Sequence, residues 1–294
     1  KAWLANQDYF LSQPLSSSHE NRVSRFNLQI KNLDFLTVVM ANECNRFAQA
    51  AIESMWSISS LEKIPKSTGW TSIQLYYASF FSAHAMLRLF GRACSQLDNT
   101  HTNKIHEVAV ATSMDAGVRV IESGFYKSSI NSKEFCFEKV KDSHADTWNS
   151  FSNLLSWMIS EIPNTTGINS HKILSMELLE KIKNSLSKSG APKGNWPSII
   201  RNKVNYQHTH GVWYPYKGAL HDHRRINDNL AWLKNPSFFD LNTNGNDIDF
   251  LFSLSNTILS LMYQLILFGH TRAGSKSVPF SNGLFRLVNQ LDVA

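Results

Sequence analysis

Three cysteines among 294 residues, Cys44, Cys94 and Cys136, are too few and too widely spaced for a disulfide framework. They form no CxxC pair, which also excludes the common cysteine zinc motifs and points to a reducing cytoplasm. No stretch is densely basic, so a net charge of +6 and a pI near 9.2 suit an anionic partner only if folding assembles the footprint. No apolar core of a signal peptide occurs in the opening residues, Lys1 to Asp8. The chain has no GxGxxG, no GxxxxGK[ST] and no serine nucleophile elbow, which removes the usual marks of dinucleotide, P-loop and α/β-hydrolase chemistry. Nor is there a convincing strand alternation or an internal repeat. The expected class is therefore all-α.

What is present supports that expectation. After an N-terminal arm over 1–18, a helical pattern runs from about 21 to 60, with Phe26, Ile30, Leu33, Leu36, Val39 and Met40 marking an apolar stripe. Residues 65–69 form a turn, and a helix over 71–90 follows, apolar nearly all round and closed by Gly91. Its small residues (Ala78, Ser79, Ser82, Ala83, Ala85) let neighbours approach closely, and His84 within it reads as a core histidine. A loop over 95–102, a helix over 103–123 and a mixed stretch over 124–145 precede helices at 147–162 and 170–187. The segment 248–268 approaches membrane-spanning length, but Asp249, Ser253, Asn256, Ser260 and Gln264 interrupt it, so it reads as a buried core helix and no membrane association is expected. The domain division is an arm (1–18), a helical domain over 19–270 with room for an insertion at 124–195, and a tail over 271–294 of loop plus a short helix.

One stretch carries chemistry. In Trp196-Pro-Ser-Ile-Ile-Arg-Asn-Lys-Val-Asn-Tyr-Gln-His208, Pro197 suits the first turn of a helix. Arg201 and His208 stand seven residues apart, on one helix face, with Asn205 between them. The opposite face offers Ile199, Ile200, Val204 and Tyr206 to a core. A fixed cation beside an imidazole that titrates near neutrality is what phosphodiester chemistry needs; the bland alternative is a solvated polar face. A rival metal site could draw on His208, His210, His221 and His223 with Asp222. However, His-x-His on a helix splays its two rings far apart, so His210, His221 and His223 fit better as lining a basic, RNA-facing loop with Arg224 and Arg225. The aromatic loop Trp213-Tyr214-Pro215-Tyr216-Lys217 could stack unpaired bases, or simply pin itself to the body.

Two stretches together resemble the HEPN superfamily, the all-helical domains of prokaryotic toxins and defence ribonucleases. Tyr76-Tyr-Ala-Ser-Phe-Phe-Ser-Ala-His-Ala-Met-Leu-Arg-Leu-Phe-Gly91 is similar to that family's central helix. Arg201-Asn202 followed by His208 resembles its RX4-6H motif. The resemblance implies a HEPN-like helical bundle with inserted or extra helices, working as a homodimer whose Arg/His motifs meet across a two-fold axis. It implies a metal-independent endoribonuclease with no cofactor, acting as a toxin or antiphage effector, with an antitoxin or other regulatory partner. In that reading Arg201 clamps the phosphate and His208 moves protons at the 2′-hydroxyl or the 5′-leaving oxygen, while Asn202 and Asn205 orient one or the other. Lys203, His210, Arg224 and Arg225 would meet the RNA backbone, and Trp213 a base. A non-catalytic module that binds RNA, a nucleotide or a partner protein is the competing class.

Overall fold

The computed structural model of the chain describes residues 2–16, 22–59, 68–115, 119–207, 209–213, 241 and 246–291. It contains a five-stranded antiparallel sheet and a further two-stranded sheet, which overturns the all-α expectation: the fold is mixed α and β. The chain divides into two compact units. One comprises 1–44 and 87–147, the other 45–86 and 148–294.

The first unit holds all the strands found among the described residues. The residues read as an arm form helix α1 (Ala2–Ala5) and strand β1 (Tyr9–Leu11). The helical pattern expected from 21 begins instead with β2 (Arg22–Val23) and β3 (Arg25–Ile30), and only then enters helix α2 (Leu33–Ser59). Phe26 and Ile30 satisfy helical spacing, yet Phe26, Leu28 and Ile30 are the inward half of a period-two alternation, with Arg25, Asn27 and Gln29 outward. Six residues are too few to separate the two periods. The expected loop at 95–102 is instead the end of β4 (Arg92–Leu97) and the start of the next helix, and β4 is reached from helix α3 (Gly69–Leu89) through Gly91, whose φ of +66° suits a residue without a Cβ. Helix α4 (Asn99–Ala111) is capped by Asp98, whose carboxylate accepts from the His101 amide, and ends well before β5 (Val120–Ile121) rather than running to 123.

The stretch read as mixed is a hairpin, β6 (Gly124–Asn131) and β7 (Glu134–Val140). Strand order is β1-β3-β7-β6-β4, with Phe26 opposite Phe137 and Arg25 opposite Glu138, while β2 pairs in parallel with β5. Phe26 and Phe137 stack with ring centroids 4.9 Å apart, and Leu28, Tyr126, Phe135 and Trp3 fill the same face. Aromatic cross-strand pairs of this kind hold register as well as contributing burial. Arg88 is buried here, donating from Nε to Glu43 at 3.3 Å and from Nη2 to the Cys94 carbonyl and the Ser95 hydroxyl.

The second unit is helical among its described residues. It takes the later part of α2 and most of α3, then α5 (Ser143–Glu161) from Trp148 onward, α6 (Asn169–Leu186), α7 (Trp196–Tyr206), α8 (Asp247–Ala273), α9 (Val278–Asn282) and α10 (Leu284–Leu291). Helix α3 is central, as its all-round apolar character required: Ile73, Leu75, Tyr76, Ala78, Phe80, Ala83 and Ala85 are all buried. His84 is a core histidine, stacked on Phe47 at 4.7 Å. In α8, Asn246 caps the first turn, with Asp247 and Asp249 at the positive end of the helix dipole and His270 and Arg272 near the negative end. Among the described residues α8 alone is long and apolar enough to cross a membrane, and 72% of its most apolar window is buried inside the protein, as in a core helix. Within it Asn256 donates to the Phe252 carbonyl and Thr257 to that of Ser253. Cys44 and Cys94 are buried thiols and Cys136 is half-buried, with none of the three in a disulfide.

Candidate functional site

Helix α7 is short, and its entry is set by Pro197 in the first turn. Trp196, Ile200 and Val204 are buried, the Trp196 ring meeting Phe250 of α8 edge-on at 5.1 Å. This packing fixes the helix rotationally and leaves Asn202 and Tyr206 in solvent with Arg201 half-buried. Tyr206 was expected on the buried side with Ile199; it is 68% exposed, and Ile199 is only half-buried. A helix of eleven residues has room for one narrow apolar seam, and Trp196, Ile200 and Val204 at four-residue spacing already fill it.

Arg201 reaches from α7 to α3. Its Nη2 donates to the Tyr77 hydroxyl at 3.0 Å and its Nη1 to the Asn202 side-chain carbonyl at 2.8 Å. The guanidinium carbon lies 5.8 Å from the ring centres of Tyr77 and Tyr206 and 5.9 Å from that of Tyr76. Among the described residues no carboxylate pairs with it, and its Nε is buried without a hydrogen-bond partner. Partial burial disfavours the charge, but the Tyr77 hydrogen bond and the surrounding phenols outweigh that, and the pKa of Arg201 rises above its ordinary value. The cation is thus held by neutral groups and keeps its full charge for an incoming anion.

A second layer supports the first. The Tyr76 hydroxyl is buried, accepts from the Trp148 indole at 3.2 Å and is hydrogen-bonded to Ser198 of α7. Burial pushes this phenol above its ordinary pKa and keeps it neutral. Tyr76 and Tyr77 therefore tie α3 to α7 through two adjacent residues, and neither was assigned to the site from sequence. The available signal was a pair of phenols in an otherwise apolar helix, since buried hydroxyls need partners.

The other expected site residues lie on α7, in the segment that follows it, or outside the described residues. Asn205 and Lys203 are half-buried on α7, and the Lys203 carbonyl accepts from the Gln207 amide to close the helix. Trp213 donates from its indole to the Val204 carbonyl at 2.7 Å and covers Gly69, where an added Cβ would lie 2.4 Å from the ring. The Val212 carbonyl accepts from the Thr68 and Gly69 amides, so this segment is pinned to the start of α3. His210 is half-buried with φ of +71°. His208, Arg224 and Arg225 lie outside the described residues, as do His221, Asp222, His223 and the rest of the aromatic loop from Tyr214. Among the described residues no three His, Cys, Asp or Glu side chains gather closely enough to hold a metal ion.

No protein-family model matches the sequence, and comparison with curated proteins and with solved structures finds no match.

Proposed function

We propose that the helical unit is a metal-independent endoribonuclease that uses Arg201 to hold the scissile phosphate and His208 to move protons. The observation that carries this reading is the Arg201 guanidinium, positioned by Tyr77 and Asn202 and paired with no described carboxylate. Attack of the RNA's own 2′-hydroxyl on phosphorus builds negative charge on the equatorial oxygens. A preorganised planar cation stabilises that charge, because its cost of orientation is met in advance by the fold. The sequence places an imidazole seven residues on, and an ordinary histidine pKa near 6.5 suits both removal of the 2′-proton and protonation of the 5′-leaving oxygen. In the homodimer that the HEPN resemblance implies, two histidines would share these tasks. Metal independence likewise comes from that resemblance, and three cysteines, odd in number and widely spaced, favour a reducing cytoplasm as the setting.

The test is incubation of the wild type, Arg201→Ala and His208→Ala with single-stranded RNA, its all-deoxy counterpart and excess EDTA. Cleavage of RNA alone, indifferent to EDTA and absent in both variants, is the expected result. Cleavage of the deoxy strand, or loss of activity with EDTA, overturns the mechanism. Binding without cleavage assigns the chain to the non-catalytic class.

A further inference from the structure

We infer that the site selects unpaired nucleotides by stacking bases on Tyr206 and Trp70, an inference that rests on the phosphate-clamping role proposed for Arg201. Tyr206 is 68% exposed and Trp70 61%, and both are rigid, flat side chains on helices rather than on loops. Tyr206 is one helical turn from Asn202 and its ring centre is 5.8 Å from the Arg201 guanidinium carbon, a separation that a single nucleotide can span with its phosphate on the cation and its base on the ring. Arg201 also stiffens that ring from one side by cation–π attraction. Trp70 precedes Tyr77 by seven residues on α3 and so shares its face, about 10.5 Å further along the helix. That places it within reach of a base farther along the same strand.

Trp213, the aromatic that sequence alone singled out for stacking, has its indole N–H committed to the Val204 carbonyl and its ring against Gly69. The rings open to solvent around the clamp are other ones. Exposed aromatics beside a cation recognise the π-faces of splayed bases and have nothing to grip on a duplex, whose bases are already stacked.

The experiment measures binding of a short fluorescent 2′-O-methyl strand, which cannot be cleaved by its own 2′-oxygen, by anisotropy at fixed ionic strength. Wild type, Tyr206→Ala, Tyr206→Phe and Trp70→Ala are compared on the intact strand, on its duplex and on a strand of abasic residues. Tyr206→Ala should weaken binding of the intact strand roughly tenfold and Trp70→Ala severalfold, Tyr206→Phe should restore the wild-type value, and the abasic strand should bind all four proteins equally. Equal binding of the intact strand by wild type and Tyr206→Ala, an equal loss on the abasic strand, or no binding by the wild type overturns the inference. Tyr206-dependent binding by a protein that leaves ordinary RNA intact retains the stacking site and removes the nuclease. Undiminished cleavage by Tyr206→Ala with wild-type binding removes the stacking site and retains the nuclease.

Discussion

The Nη2 of Arg201 donates a 3.0 Å hydrogen bond to the hydroxyl of Tyr77, a residue 124 positions earlier in the chain. Two distant stretches of the chain are thereby joined at the level of individual atoms. Arg201 also makes its second hydrogen bond to its own neighbour, Asn202. The guanidinium plane is then set by one group from each helix.

Removing the phenol oxygen should disturb the clamp without disturbing the core. Tyr77→Phe keeps the ring and loses the acceptor, and a hydrogen bond to a charged group contributes about 1.5–3 kcal/mol when well shielded. Arg201 is only half-buried, so the lower end applies. RNA cleavage should fall about tenfold in kcat/KM while the melting temperature stays near wild type. A matching fall in melting temperature would make Tyr77 a packing residue and no more.

Gly69 is required by Trp213. A methyl group at position 69 would sit 2.4 Å from the indole, so Gly69→Ala must displace the ring, with an overpacking cost of about 1–3 kcal/mol. Trp213→Phe keeps most of the apolar contact and loses the hydrogen bond to the Val204 carbonyl, worth about 1 kcal/mol. Thermal unfolding of the two single variants and the double variant gives the check. The effects should be less than additive, because both changes act on the same contact.

In the first unit, Arg88→Met should be strongly destabilising. The side chain is 2% exposed and its partner Glu43 31%, and the substitution also strips donors from the Cys94 carbonyl and the Ser95 hydroxyl. Breaking a buried pair from one side costs about 3–5 kcal/mol, and the lower end is expected because Glu43 can regain water. Urea unfolding should show the loss, and Glu43→Gln should be the milder change.

Acid should weaken the same unit through Glu122. The Lys139 ammonium at 2.9 Å holds this carboxyl below the usual range, against an opposing effect of burial. A depressed carboxyl stabilises the fold above its unfolded value of about 4.3, and that contribution disappears as pH falls through the lower folded value. Glu122→Gln should cost at most about 1 kcal/mol at pH 7 and nothing near pH 2, so unfolding curves of wild type and variant should converge in acid. A constant gap between them across that range would mean the loss is one of packing.

The long helices were legible because each covers several turns. Helices α6 and α8 match their sequence spans within a few residues, and α3 was recognised as central because no face of it suits water. The sheet was not legible, because β3 and β4 are six residues long and β6 carries Ser128 where an apolar side chain would have shown the alternation. The inward face of β3 is completed by a partner over a hundred residues away, as Phe26 is by Phe137. At the site, sequence alone determined that Arg201 would stand on a helix with a buried seam, since Pro197, Ile200 and Val204 are local signals at local spacing. Only the tertiary structure decided what the cation touches and which aromatics stay in solvent. Helical phase gives a direction around one axis, whereas the contact of Arg201 with Tyr77, the burial of Tyr76 and the exposure of Tyr206 follow from how a second helix packs against that axis.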